Sequence, residues 1–231
     1  GSEMCIRDRA GMPRILDMFS KRNLPASTSF NAGVIDAYPQ AAAAMREAGW
    51  EFIGHGVHQK SMNHVDGGEE GTIRLALDKI TAFTGKKPRG WLSPGLRETP
   101  ETPELLKANG IDYVCDWVID DLPSWMTTRQ GPLVAMPYNL EINDSLIYAV
   151  ERHATGEMAR RLEFTLRRFE IEAREQPRVL AIGLHPHLIS VPHRIHELEC
   201  MLDLLQASQD VIFATGSDIC DWYVQHEQPG G

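Results

Sequence analysis

An α/β fold built on a mostly parallel sheet is the class this sequence predicts, and three observations predict it. Short apolar runs recur along the chain, stretches of helical period separate them, and a glycine closes several of those stretches. Two of the runs end on a histidine: His55 after Trp50-Glu51-Phe52-Ile53-Gly54, and His185 after Val179-Leu180-Ala181-Ile182-Gly183-Leu184. Strand carboxyl ends are where such folds present polar groups over a packed core, so both imidazoles are candidates for hydrolytic chemistry. Periodicity leaves open whether the sheet closes as a barrel or stays an open doubly wound sheet.

Residues 11–22 form the first helix, with Ile15, Leu16 and Phe19 at helical spacing, Pro13 in a first turn and Asn23 as the stop. A strand at 26–30 follows. Pro39 opens a helix that Gly49 ends, and 50–54 return as a strand. On the next helix, 69–84, Ile73, Ala76, Leu77, Ile80 and Phe83 make one apolar stripe before Gly85 stops it. The strand 89–92 leads to a short helix at 103–109, closed by Gly110, and to a strand-like run at 111–117. Residues 120–133, with Pro123, Trp125 and Gly131, read as the longest structureless region, and loops of that length are often functional. A strand at 133–136 precedes an irregular stretch. The helix 157–174 presents Met158, Leu162, Thr165, Leu166 and Phe169 on one face, and 179–184 then reads as a buried strand. A helix at 194–206 turns Ile195, Leu198, Met201, Leu202 and Leu205 inward, before a strand at 211–214 and a last helix from Ser217.

With 231 residues, 42% hydrophobic and 24% charged, the chain can bury one sizeable core, which gives a single domain over 10–231. Residues 1–9 fit no amphipathic period and read as a non-native leader. The alternation then starts on a helix, so an earlier strand is expected to be missing. A formal charge of −9 offers no basic field, which argues against nucleic acid and anionic membrane as partners. No run approaches the ~18 apolar residues of a membrane helix and no basic start leads into an apolar signal core, so a cytoplasmic location follows. Cys5, Cys115, Cys200 and Cys220 are widely spaced without a CxxC pair, and read as reduced thiols rather than a zinc knuckle or a disulfide framework.

In Gly54-His55-Gly56-Val57-His58-Gln59, the glycines beside His55 let the backbone approach a ligand, and His55 and His58 could share a divalent metal. A hydrolytic zinc takes about three protein ligands, so a carboxylate from elsewhere would be required. The plainer alternative keeps His55 as a hydrogen-bonding strand-end residue and leaves His58 and His64 solvated. In Arg89-Gly90-Trp91-Leu92-Ser93-Pro94-Gly95, Arg89 could orient a catalytic carboxylate, bind an acidic substrate, or form a surface ion pair. Asp116-Trp117 supplies a carboxylate beside an aromatic wall. In Leu184-His185-Pro186-His187, His185 can protonate an amine leaving group, because an unperturbed imidazole titrates at about 6.5. His187 shares its face if the strand runs past Pro186. Asn143-Asp144 could bind substrate amides or hydroxyls, although local turn formation is the ordinary role of such a pair.

Taken in order, Glu51-Phe52-Ile53-Gly54-His55-Gly56, Lys87-Pro88-Arg89-Gly90-Trp91-Leu92-Ser93-Pro94-Gly95, Asp116-Trp117 and Leu184-His185-Pro186 resemble the successive motifs of the polysaccharide deacetylase family, the NodB-homology superfamily. The segments Asp120-Asp121-Leu122-Pro123 and Pro137-Tyr138 to Asn143-Asp144 are similar to its branch with allantoinase-like enzymes of urate catabolism. The resemblance implies a distorted (β/α) barrel of about seven parallel strands, its first strand missing here. It implies hydrolysis of a non-peptide carbon–nitrogen bond, most often deacetylation of an N-acetylated carbohydrate. Carried over, His185 is the general acid, Arg89 orients the base and Trp117 is an apolar wall, while Asp116 is the catalytic carboxylate that the strand-end reading itself offers. Trp91, Trp117, Asn143, Asp144, His187 and Gln59 then face a small-molecule or carbohydrate substrate, and His55 and His58 face a zinc ion.

The chain departs from the family pattern twice. The aspartates of the first motif, base and metal ligand, belong to the strand expected to be missing. The second histidine of the metal pair follows His55 by three positions rather than four, where Gln59 stands. Two further readings follow. In an allantoinase-like ureide amidohydrolase of purine catabolism, Gln59 would hydrogen-bond the substrate where a metal otherwise stands. A truncated, inactive ligand-binding barrel would expose a sheet edge and favour homo-oligomers.

Overall fold

The computed structural model, which describes residues 9–65 and 67–229, alternates helix and strand as predicted through most of the chain. In chain order the elements are helix α1 (Gly11–Lys21), strand β1 (Ser27–Phe30), helices α2 (Val34–Ala37) and α3 (Pro39–Glu47), strand β2 (Glu51–Gly54) and helix α4 (Glu69–Thr84). Strand β3 (Gly90–Trp91), helix α5 (Thr102–Ala108) and strands β4 (Tyr113–Val114), β5 (Ser124–Thr128) and β6 (Gly131–Ala135) follow. Helices α6 (Glu157–Glu172), α7 (Ile195–Ala207) and α8 (Gly216–His226) complete the order. All but Arg9 of the leader expected at 1–9 lies outside the described residues.

The chain packs as two compact units. One holds Pro25–Pro137 with the residues from Ala214 onward, and the other holds α1 with Tyr138–Phe213. In the first, six strands form one sheet in the order β1-β2-β3-β4-β6-β5. Every neighbouring pair is parallel except the β5/β6 hairpin. Phe30 pairs with Gly54, Gly54 with Trp91, Trp91 with Val114 and Val114 with Ala135. That register brings the residues after β2, β3 and β4 out along one edge of the sheet. Ile73, Ala76, Leu77 and Ile80 of α4 are buried, as their helical stripe predicts, and Phe83 is half-buried against Phe52.

The structure corrects three expectations. Residues 120–133 are not structureless, because β5 lies among them, and Gly131 at φ 110° begins the returning strand of a tight hairpin. The runs 179–184 and 211–214 form no strand, apart from a single bridge from Gly183 to Asn143. A strand is defined by its ladder partners, and a hydrophobic run without them stays irregular. Ile212 shows it, being 88% exposed. The α/β class and the mostly parallel sheet stand as predicted, and the six strands among the described residues do not close into a ring.

In the second unit Met12, Ile15 and Met18 of α1, Met158 and Leu162 of α6, and Leu198, Met201, Leu202 and Leu205 of α7 are buried. A buried carboxylate ties this core together. Glu197 accepts from the Tyr148 hydroxyl at 2.6 Å and from the Ala159 backbone N–H at 3.0 Å, so its burial leaves neither oxygen unsatisfied.

Candidate active site

At the strand-end edge of the first unit, His55 follows the last ladder pair of β2 and is 8% exposed. Its Nδ1 lies 2.5 Å from the Leu92 carbonyl, and an oxygen that only accepts makes Nδ1 the protonated nitrogen. The Asn31 side chain donates to the His55 carbonyl, which fixes the backbone of the same residue. Trp91 does not face substrate. It is 0% exposed, its ring lies where a Cβ on Gly54 would stand, and its indole N–H donates to Ser93 Oγ at 3.0 Å. The aromatic residue exposed at this edge is Trp117, which is 45% exposed and is followed by exposed Val118 and Ile119. His58 and Gln59 are exposed.

Asp116 follows β4 and points inward, accepting the Ser93 backbone N–H on Oδ1 at 2.7 Å. Its other oxygen, and both oxygens of Glu98, are buried without a donor. Burial raises the Asp116 carboxyl above the usual carboxylate range, and it pushes Glu98 up to about 8 with the help of the Asp116 charge.

Arg89 precedes β3 and therefore stands at the opposite end of that strand from Ser93. Its Nε donates to Asp112 at 2.6 Å, and its two terminal nitrogens donate to the carboxylate of Asp221 on α8 at 3.0 and 2.6 Å. Of the roles the sequence left open, this geometry is that of the ion pair. The partners of Arg89 clamp α8 to the amino ends of the strands.

His55 spends Nδ1 on Leu92, and His58 is exposed. Among the described residues no group of three or more His, Cys, Asp and Glu side chains could hold an ion. A hydrolytic zinc needs about three such ligands, so the described residues do not fit one.

In the second unit the decisive geometry belongs to His185. Asp144, fully buried, accepts the His185 backbone N–H on Oδ2 at 2.7 Å, and its Oδ1 lies 2.6 Å from the ring Nδ1. A buried carboxylate flanked in this way requires the proton on Nδ1, which leaves Nε2 as the exchanging nitrogen. The Gly183 bridge seats the pair: the Asp144 N–H donates to the Gly183 carbonyl at 3.0 Å, and the Gly183 N–H to Ile142 at 2.9 Å. A Cβ on Gly183 would lie 2.3 Å from the Asn143 amide nitrogen, so any other residue there must displace that side chain. Asn143 is structural. Its carbonyl oxygen accepts the N–H groups of Ser145 and Leu146 at the start of a π-helix (Ser145–Val150), the turn-forming role that was its ordinary alternative. His187 packs edge-on against His185, their ring centres 5.9 Å apart.

Sequence reasoning thus named His185 and Asp144 but gave Asp144 to the substrate, and it missed Glu98. Nothing in the spacing signals either role: the first pair is forty-one positions apart in the chain, and Glu98 lies beyond a turn whose return no periodicity encodes.

A polysaccharide deacetylase sequence profile matches residues 6–114. The peptidoglycan deacetylase of Helicobacter pylori (strain ATCC 700392 / 26695) is 27% identical over 135 residues, 58% of this chain and 46% of that relative. A crystal structure described as a probable polysaccharide deacetylase from Pseudomonas aeruginosa PAO1 superposes with a TM-score of 0.86 at 31% identity, over 94% of this chain and 74% of that one. The crystal structure of the PuuE allantoinase does so with a TM-score of 0.84 at 30% identity and the same coverage. The chain therefore spans about half the length of the Helicobacter relative and about three quarters of each of these two structures.

Proposed function

The chain belongs to the polysaccharide deacetylase family, and from that premise we propose a hydrolase of non-peptide carbon–nitrogen bonds that removes acetyl groups from an N-acetylated carbohydrate. The observation that carries the reading is the hold of Asp144 on His185. Breaking an amide carbon–nitrogen bond expels an amine, which leaves only if it is protonated as it departs. With Nδ1–H committed to Asp144, the Nε2–H of a protonated His185 is the proton delivered, and the buried carboxylate steadies the imidazolium that carries it. Trp117 offers an exposed aromatic face of the kind that lines sugar-binding clefts.

A second reading is a ureide hydrolase, favoured by the likeness to the PuuE allantoinase. The exposed Gln59 amide could pair with the donors and acceptors of a ureide. Both substrates go into one experiment on the purified chain: acetate release from N-acetylated sugar oligomers, and ring opening of allantoin. Acetate release is the expected result. Ring opening alone moves the assignment to the second reading, and ligand binding with neither reaction overturns the hydrolase.

No helix among the described residues is long and apolar enough to cross a membrane. Cys115, Cys200 and Cys220 are free thiols, which supports the cytoplasm as the compartment, a placement that cell fractionation tests.

A further inference from the structure

Residues 93–98 leave β3, turn through Gly95 and Leu96 at φ 68° and 55°, and end on Glu98. Leu96 occupies backbone space that favours glycine, so its surroundings must hold the turn. Two contacts return this loop to the end of β4. The Ser93 N–H donates to Asp116 Oδ1 at 2.7 Å, and the Glu98 and Asp116 carboxyls lie close enough for each to shift the other's titration. Both Glu98 oxygens and Asp116 Oδ2 are sealed from water without a hydrogen-bond partner of good geometry among the described residues.

As two anions this arrangement fails twice, through like charges in a dry site and through three orphaned acceptors. One proton removes the like charge and pairs two of the three oxygens, because a neutral carboxyl donates to its ionised neighbour. We infer that Glu98 and Asp116 share a single proton, and that this proton is the latch pinning loop 93–98 to β4. The same loop begins beside the Leu92 carbonyl that orients His55, so Glu98 is a positioning residue for the strand-end edge.

The direction of titration agrees: burial first, and Asp116 second, push Glu98 up to about 8. Glu69 of α4 faces the pair and raises both members, while its own oxygens take the hydroxyls of Thr99 and Thr102. The Trp117 side chain opposes the shift on Glu98, and Ser93 opposes it on Asp116.

A carboxyl held protonated only when folded stabilises the fold fully below its unfolded value, and that stability is lost as the pH rises through the folded one. The window runs from the ordinary 4.5 of Glu98 to about 8. Urea unfolding of the purified chain between these limits reads it. The wild-type unfolding constant should rise by up to about tenfold per pH unit more than that of Glu98→Gln, whose amide donates to Asp116 at every pH. Equal slopes overturn the latch. Asp116→Asn is the second variant, since its amide satisfies an ionised Glu98 and should also flatten the slope. Should neither variant fold, proton release on unfolding the wild type at pH 6.5 decides: about one proton supports the latch and none overturns it.

Turnover is a separate arm that rests on the proposed deacetylation. Its alkaline limb, near pH 8 in the wild type, should move upward in Glu98→Gln. A slope difference without turnover on any substrate leaves the latch standing and removes the function, whereas turnover with equal slopes does the reverse.

Discussion

Asp144 holds His185 at two points, the backbone N–H at 2.7 Å and the ring Nδ1 at 2.6 Å, so one buried carboxylate sets both the position and the tautomer of the imidazole. Replacing it by asparagine keeps the volume but offers an amide N–H where Nδ1 needs an acceptor. Asp144→Asn should therefore lower kcat by roughly 10²- to 10⁴-fold with little change in KM. Steady-state kinetics on an N-acetylated sugar oligomer checks this, and an unchanged kcat removes the pair from the mechanism.

His185→Asn tests the proton itself. The His185 side chain is 36% exposed, so its loss should move stability by only about 0.5 kcal/mol, while kcat falls by roughly 10²-fold or more. Circular dichroism melting separates the two effects. A large drop in Tm accompanied by the same kcat per folded molecule would make His185 a structural residue.

Gly183→Ala should reach the same chemistry indirectly. The added methyl would meet the Asn143 amide nitrogen at 2.3 Å and the Tyr138 hydroxyl at 3.0 Å, in a bridge that seats Asp144 beside His185. Overpacking at such a position costs about 1–3 kcal/mol. A fall in the urea midpoint together with a lowered kcat is expected, and a wild-type midpoint would show that the bridge yields without strain.

The helices were legible because their signals are local. Ile73, Ala76, Leu77 and Ile80 recur at helical spacing, and all four are buried on α4. The strands were legible only where a partner existed. The run at 51–54 became β2, paired with β1 and β3, while the equally apolar run at 179–184 found a single bridge at Gly183. At the candidate site, residue type carried His185 and Asp116, because imidazoles and carboxylates at predicted strand ends stand out. Partners could not be read. Asp144 beside His185, Asp221 beside Arg89 and Glu98 beside Asp116 are long-range encounters that depend on how the chain returns, and no periodicity in the sequence records a return.

Arg89→Gln decides between the two roles of that arginine. Its guanidinium grips Asp221 with two nitrogens and Asp112 with a third, which joins α8 to the residues that lead into β3 and β4. The pairs are about half exposed, so solvent screening holds their worth to about 0.5–1 kcal/mol. The hydrogen bonds from Arg89 lower the Asp221 carboxyl below its ordinary 3.8. A carboxyl depressed by folding stabilises above its unfolded value and loses that contribution as the pH falls through the folded one. The stability gap between wild type and Arg89→Gln should therefore be constant from neutral pH down to about 4 and should narrow in more acid solution. Arg89 itself stays charged in both states and adds no pH dependence of its own. Urea midpoints measured from pH 7 to pH 3 test this. If kcat falls by 10²-fold in the variant while the midpoints coincide, the arginine serves the reaction and the ion pair is incidental.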